Sequence, residues 1–356
     1  MQSLTILPSG AKSLIGALDL SHSELTVWLK DRQYPALHGK QIRNWILSRR
    51  ALSFDQMSDL PVRLRRELEE SFEPLSSRVD RHLTSQDDTH KLLLQYKDGS
   101  RVEAVLIQES NRRTACISTQ VGCGMGCVFC ASGIDGLARN LKSGEILEQL
   151  IRLRNLTPAG ERLTHIVVMG MGEPLANLDN LLPALDAAGD KHGLGIGARH
   201  ITISTVGLPN RIRQLADCQK QYHLAVSLHA PNNDLRSKIV PTNDRTGLED
   251  ILAAADYYFQ TTGRQVTYEY VLLGGLNDSP REAEQLVRIL KGRKAHVNLI
   301  PFNNVEGLPY LRPKDQAIQS FMGIIQNAGI SIKIRKRKGS EIDAACGQLR
   351  RQSERV

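Results

Sequence analysis

A chain of 356 residues, 41 % hydrophobic and 24 % charged, has room for one large α/β domain plus a small accessory domain, and enough apolar content for a sizeable core. No apolar run approaches the length of a membrane span, and Met1 to Gly10 lacks a basic region followed by an apolar stretch, so the expectation is a cytoplasmic protein with no secretory leader and no membrane partner. The net charge of +8 favours polyanions such as RNA as partners.

Lys40 to Arg49 and Pro61 to Phe72 have the apolar spacing of short amphipathic helices, the second opening on a proline whose fixed φ suits a first turn. His90–Tyr96 and Arg101–Ile107 then alternate apolar and polar residues around Asp98-Gly99, the pattern of a hairpin with a tight turn. These segments read as an N-terminal accessory domain, residues 1–100, leading into a core of residues 101–349. Residues 350–356 form a polar, frayed tail.

From Thr114 onward apolar β-type runs alternate with helical stretches. The runs are Thr114–Thr119, His165–Met169, His200–Val206, His223–Leu228, Val266–Leu272 and Val297–Pro301, and the helices include Ser143–Leu156, Gly247–Thr261 and Pro280–Lys291. This succession of β–α units predicts a parallel sheet with outer helices, as an open doubly wound sheet or as a full or partial barrel. Gln316–Ala328 adds a helix and Ile330–Ile334 a last strand.

The six cysteines are Cys116, Cys123, Cys127, Cys130, Cys218 and Cys346. In a chain without a secretion signal, their clustering points to metal or catalysis rather than to a disulfide scaffold. Three lie in the Gly-rich loop Cys123-Gly-Met-Gly-Cys127-Val-Phe-Cys130, just after the first strand of the β–α series, and can converge on one centre. Structural zinc sites take four ligands, usually as two separated pairs, and no second pair is evident. A [4Fe–4S] cluster normally takes four cysteines, so one held by three keeps an iron open to a further ligand.

Gly172, Glu173, Ser204, Ser227, His229 and Asn303 fall at or just past the C-terminal ends of predicted strands, the rim where both barrels and open α/β sheets bind ligands. Each has a plainer alternative. Glu173 before Pro174 can end a strand, Ser204 can be a core hydroxyl, His229 a structural loop histidine, Asn303 a turn former and Glu103 a solvated strand residue. Cys218 ends a helix and reads as a packing residue, and a lone cysteine such as Cys116 or Cys346 is commonly a small buried hydrophobe.

Taken together, Gly122–Asn140 (GCGMGCVFCASGIDGLARN), Gly170–Leu175 (GMGEPL), Ser227–Pro231 (SLHAP) and Glu341–Leu349 (EIDAACGQL) resemble the RlmN/Cfr family of radical S-adenosylmethionine (SAM) adenine-C methyltransferases. The resemblance runs over nearly the whole chain. It implies an α/β fold, a radical SAM partial (β/α)6 barrel with a small N-terminal helical and hairpin domain. It implies a [4Fe–4S] cluster on Cys123, Cys127 and Cys130, with SAM held by Gly172, Glu173, Ser204, Ser227, Leu228, His229 and Asn303. Two SAM molecules would serve each turnover. One methyl would be carried on Cys346, and RNA would be linked covalently to the protein. Cys116, with Glu103 assisting, would take the proton from the attacked carbon, and a transient Cys116–Cys346 disulfide would release the methylated RNA.

The substrates so implied are C2 of one adenine in the peptidyl-transferase loop of 23S rRNA and of the adenine beside the tRNA anticodon. The alternatives are C8 of the same rRNA adenine, another radical SAM substrate, or a zinc-dependent RNA-binding module. Ser227–Pro231, the proline of GMGEPL and the N-terminal segment favour the RlmN branch. Asn303-Asn304, where many members have Asn-Pro, departs from the pattern and affects local loop shape. The implied partners are 23S rRNA, tRNA and an electron donor such as flavodoxin or ferredoxin, with the protein a monomer. Arg63, Arg65 and Arg66, and Lys333, Arg335, Lys336, Arg337 and Lys338, are candidate phosphate contacts, which position RNA without reading its sequence. The target adenine must unstack to reach a barrel rim.

Overall fold

The computed structural model describes residues 14–349 except 159, 304, 306, 336 and 337; the Met1–Gly10 segment, Asn304, Lys336, Arg337 and the tail after Leu349 lie outside the described residues. The chain divides into two compact units between Ser76 and Ser77.

The first unit holds β1 (Ile15–Gly16), α1 (His22–Asp31), α2 (Leu37–Leu47), α3 (Val62–Ser71) and β2 (Phe72–Glu73), with β1 parallel to β2. The two predicted helices are α2 and α3. The third, α1, has a start signal in Ser21, whose hydroxyl accepts from Glu24 N at 3.1 Å while the Glu24 carboxylate accepts from Ser21 N at 2.7 Å. Leu25, Leu29, Ile42, Ile46, Leu64 and Leu68 are fully buried and form the core of this unit.

The second unit begins with four strands, β3 (Arg78–Thr84), β4 (His90–Gln95), β5 (Arg101–Glu109) and β6 (Arg112–Cys116). A two-stranded ribbon, β7 (Gln120–Gly122) and β8 (Leu137–Asn140), and α4 (Ser143–Arg154) follow. Then strands and helices alternate: β9 (His165–Val168), α5 (Leu178–Gly189), β10 (Ile201–Thr205), α6 (Pro209–Asp217), β11 (His223–Ser227), α7 (Asn233–Ile239), α8 (Leu248–Thr262), β12 (Val266–Leu272), α9 (Pro280–Leu290), β13 (Ala295–Pro301), α10 (Asp315–Asn327) and β14 (Ser331–Ile334).

One ten-stranded sheet runs β14-β13-β12-β11-β10-β9-β6-β5-β4-β3. From β6 to β14 neighbouring strands are parallel; from β6 to β3 they are antiparallel. Strands β6, β9, β10, β11, β12 and β13 are the expected β/α series, and β14 adds a further parallel strand. Strands β9 and β11 are buried through their centres and β12 nearly so, whereas β10 and β13 alternate buried with half-buried residues.

The hairpin around Gly99, whose φ of +80° suits a tight turn, is present as β4–β5. It corrects the expected boundary at residue 100. β5 hydrogen-bonds to β6, so the hairpin extends the core sheet and falls with residues 77–349. Separating it from the core would expose the edge of β6.

Candidate active site

The three loop cysteines lie in the connection between β7 and β8, which pair antiparallel and bring the two ends of the loop together. Cys123 N donates to Gly136 O at 3.0 Å to close it. Cys123, Cys127 and Cys130 line one cavity at the C-terminal ends of the parallel strands. Burial drives the Cys123 thiol up to about 12 and raises Cys127 and Cys130 as well; repulsion from Cys130 adds to the rise at Cys123 and Cys127, and repulsion from Cys346 to that at Cys130. Three buried thiols facing one space cannot all ionise without a cationic centre beside them, so the donor set fits a metal cluster. Among the described residues no three His, Cys, Asp or Glu side chains stand as ligands to a single ion. A multi-iron cluster holds its cysteines further apart.

Across the cavity, Glu173 is 2 % exposed, and its carboxylate accepts from Leu175 N at 3.0 Å and from Val206 N at 2.8 Å. Burial pushes its pKa up to about 7 despite these bonds, so this carboxylate gains from a cationic ligand group. Gly172 has φ +99°, and a Cβ there would sit 2.5 Å from the Cβ of Gln120. Gln120 in turn accepts from Glu173 N at 2.8 Å through Oε1, so the backbone of the GMGEPL turn is set by this close approach.

His229 has φ +59° and is 3 % exposed. Its Nδ1 accepts from Val271 N at 3.0 Å, which leaves the neutral ring's proton on Nε2 as a donor. Burial, and then the Arg236 charge, lower its pKa to about 3, so it stays neutral. Ser204 and Ser227, at the ends of β10 and β11, line the same cavity, as does Asn303. Leu228 does not; it is fully buried and contributes backbone, its N donating to Glu269 O at 3.0 Å.

A second, more polar cavity adjoins the first. Cys346, Arg335, Glu269, Asn303 and Met169 line both, and Cys116 lines the second. The Cys346 loop is docked on the cysteine loop: Ala131 N donates to Gly347 O and Ser132 Oγ to Leu349 O, both at 2.7 Å. Asn303 Nδ2 reaches Cys346 O at 3.5 Å. Burial first, and then Cys346, push the Cys116 thiol up to about 12, while Arg335 opposes the rise. Cys116 and Cys346 are both free thiols, so the expected disulfide is no part of this state of the protein: the two sulfurs face a common space without bonding.

Glu103 is not solvated. It is 3 % exposed, pairs with the equally buried Lys91 at 2.8 Å, and lines neither cavity. Lys91 Nζ also donates to Asp343 O at 3.3 Å, three residues before Cys346. Arg335 is likewise no part of an outward basic face, because it turns into the two cavities, leaving Lys333 and Lys338 of that run along the second. In the N-terminal unit, Arg63 is paired with Glu67 at 2.9 Å and Arg65 donates to Asp55 O at 2.8 Å, while Arg66 is exposed. Sequence reasoning missed Gln120, Glu269 and Arg236. Glu269 carried a signal, a charged residue inside the apolar strand Val266–Leu272; Gln120 and Arg236 carried none.

Residues 117–287 match the Radical SAM superfamily, and residues 15–73 match the ribosomal RNA large subunit methyltransferase N-terminal domain. A "Probable dual-specificity RNA methyltransferase RlmN" of Rhodopirellula baltica is 54 % identical over 334 residues, 94 % of this chain and 90 % of that protein. One of the same name from Caldicellulosiruptor saccharolyticus is 42 % identical over 93 % of this chain and 96 % of its own. The crystal structure of a radical SAM methyltransferase from Sphaerobacter thermophilus superposes with a TM-score of 0.92 at 41 % identity, over 94 % of this chain and 99 % of that one. On identity sustained along nearly its entire length, the chain belongs to the RlmN family, within the radical SAM superfamily.

Proposed function

We propose that the protein is a SAM-dependent RNA methyltransferase that places a methyl group on C2 of an adenine of 23S rRNA and of the adenine beside the tRNA anticodon, by way of a methyl carried on Cys346. The observation that carries this reading is the position of Cys346 in the wall of both cavities, with the three-cysteine loop in one and Cys116 in the other. A single sulfur so placed serves a methyl donor on one side and an acceptor base on the other.

The cluster, held by Cys123, Cys127 and Cys130, supplies when bound an electron and an open iron for SAM. Glu173 holds the ammonium group of SAM, whose positive charge offsets the burial of the carboxylate. His229 offers its Nε2 proton, and Ser204, Ser227 and Asn303 offer hydroxyl and amide groups to the same ligand. Gly172 lets the backbone approach closely. Cys346 accepts and keeps the methyl group at Sγ, and Cys116 receives the proton of the attacked carbon. Arg335, which lines both cavities beside Cys346, opposes the rise of the Cys116 thiol and so favours its thiolate. Attack of the Cys116 thiolate on Cys346 Sγ would then break the bond between that sulfur and the carbon it carries as the sulfur–sulfur bond forms; the electron pair leaves with the carbon, which takes up a proton as the product's methyl group, and a dithiol reductant returns both cysteines to thiols. Glu103, ion-paired with Lys91, acts through the Lys91–Asp343 bond to seat the Cys346 loop. The reading also takes reduced flavodoxin or ferredoxin as electron donor and a monomer working in the cytoplasm.

The test is mass spectrometry of adenosines from rRNA and tRNA of cells with and without this gene. Loss of 2-methyladenosine on deletion, restored by the wild type and not by Cys346→Ala, supports the reading. Loss of 8-methyladenosine instead moves the reaction to C8 of the base, and no change in either nucleoside removes the RNA substrate.

A further inference from the structure

Arg236 of α7 is 1 % exposed, the largest side chain among the described residues to be so completely buried. Its guanidinium donates only to neutral oxygens among the described residues: Leu228 O at 3.0 Å, Ser227 O at 3.1 Å, Asn243 Oδ1 at 2.9 Å and Val206 O. These acceptors satisfy its hydrogen bonds and do nothing for its charge. An arginine buried without a counter-ion is costly, since the charge has been taken out of water with no opposite charge to offset it. If closing the ends of β10 and β11 were the whole task, neutral donors would serve at lower cost.

The geometry supplies the missing anion. α7 runs beneath the cysteine loop, with Val128 N donating to Ile239 O at 3.1 Å. Cys127 packs against the apolar cluster that contains Val206, Ile239 and Val240, and Arg236 itself donates to Val206 O. The acidic group acting on Arg236 is Cys127. Carboxylates that would compete for it are held elsewhere: Glu249 by Asn233, and Glu173 by two backbone amides.

We infer that Arg236 is the built-in counter-charge of the iron–sulfur cluster, placed behind Cys127 to favour the cluster's reduced state. The inference rests on Cys123, Cys127 and Cys130 being the cluster ligands. An oxidised [4Fe–4S]2+ core with three thiolates carries one net negative charge and gains a second on one-electron reduction. A fixed cation behind one thiolate therefore stabilises the reduced form more than the oxidised form and raises the reduction potential. Burial, with the same cation adding to it, keeps His229 neutral.

The experiment is an EPR-monitored redox titration with dithionite, run on anaerobically reconstituted full-length protein after iron has been counted. Arg236→Gln, loaded with about four irons per chain, is expected to show a reduced-to-oxidised ratio about ten-fold lower at the wild-type midpoint, a shift of about 59 mV to more negative potential. Arg236→Lys, which keeps the charge and drops the fork, is expected to hold the wild-type potential while melting earlier. Asn243→Asp sets a carboxylate against the Arg236 Nη1 with the guanidinium still in place, Ser237 turning its hydroxyl to donate, and is expected to shift in the same direction as Arg236→Gln. If Arg236→Gln does not fold, Asn243→Asp decides. A wild-type potential in whichever of these two loads iron overturns the inference, as does an Arg236→Lys potential that falls with Arg236→Gln. Failure of the wild-type protein itself to bind iron counts against the ligand assignment instead.

Discussion

The cysteines around the two cavities come from regions built in different ways. Cys123, Cys127 and Cys130 share one short loop, closed at its base by the β7–β8 ribbon, so their convergence is local. Cys116 ends β6 and Cys346 lies in a C-terminal loop; they share a cavity only because that loop folds back onto Ala131 and Ser132. Burial raises the three loop thiols in one set and Cys116 in the other, and an arginine opposes the rise at Cys127 and at Cys116. Arg236 stands behind the triplet and Arg335 faces the pair. Arg236 is locked by four hydrogen bonds, whereas Arg335 lines open space in both cavities. A fixed charge suits a permanent cluster. A charge lining a cavity suits sulfurs that change partners.

The largest effects come from separating the two sets. Cys127→Ala should abolish iron binding and with it all methylation, read by iron content and by loss of visible absorbance. Cys346→Ala should keep full iron and make no methyladenosine. Cys116→Ala should keep iron and stall late, leaving a protein–RNA adduct visible on a denaturing gel. Normal turnover by Cys116→Ala breaks the two-set division.

Next in size is the seat of the Cys346 loop. Lys91→Met takes the cation of a buried ion pair away from Glu103 and removes the bond to Asp343 O, which should cost about 3–5 kcal/mol in denaturant unfolding. It should also raise the rate at which Cys346 is alkylated by iodoacetamide, with the iron content intact. Unchanged alkylation would separate the ion pair from the loop.

Smaller is Gly172→Ala. It puts a Cβ 2.5 Å from Gln120 at a φ of +99°, for an expected loss of about 1–3 kcal/mol together with weaker SAM binding by calorimetry.

The smallest effect is a slope. Glu173 has a pKa of about 7 in the fold against 4.5 as its ordinary value, so the folded state binds this proton more tightly than the unfolded state does. Its contribution to stability is therefore present below about pH 4.5 and is lost as pH rises towards 7. Glu173→Gln should flatten that part of the apo-protein's stability–pH curve, measured by urea midpoints. A parallel curve would mean that the carboxyl titrates normally.

Much of this was legible in the residues. Runs rich in β-branched and apolar residues marked β9 to β13, with polar residues alternating in β10 and β13, and the rim residues followed from the strand ends. The hairpin around Gly99 was legible as a turn, but its membership was not, since pairing with β6 is a long-range event. For Glu103 a solvated strand position stayed open beside the assisting role that the resemblance implied, because alternation says which face a residue takes and not what covers that face; Lys91 and the Asp343 turn cover it.

By itself, then, the sequence determined whatever depends on near neighbours: the three-cysteine spacing, the succession of β and α segments, the tight turns, and the motifs that mark the family. The tertiary structure alone decided which distant groups meet. It brought Cys346 between Cys116 and the cluster loop, turned Arg335 inward from a run of basic residues, and buried Arg236 behind Cys127. Local spacing fixes geometry through a few backbone torsions. A contact between remote residues is set by the packing of the whole core, and no short segment carries that information.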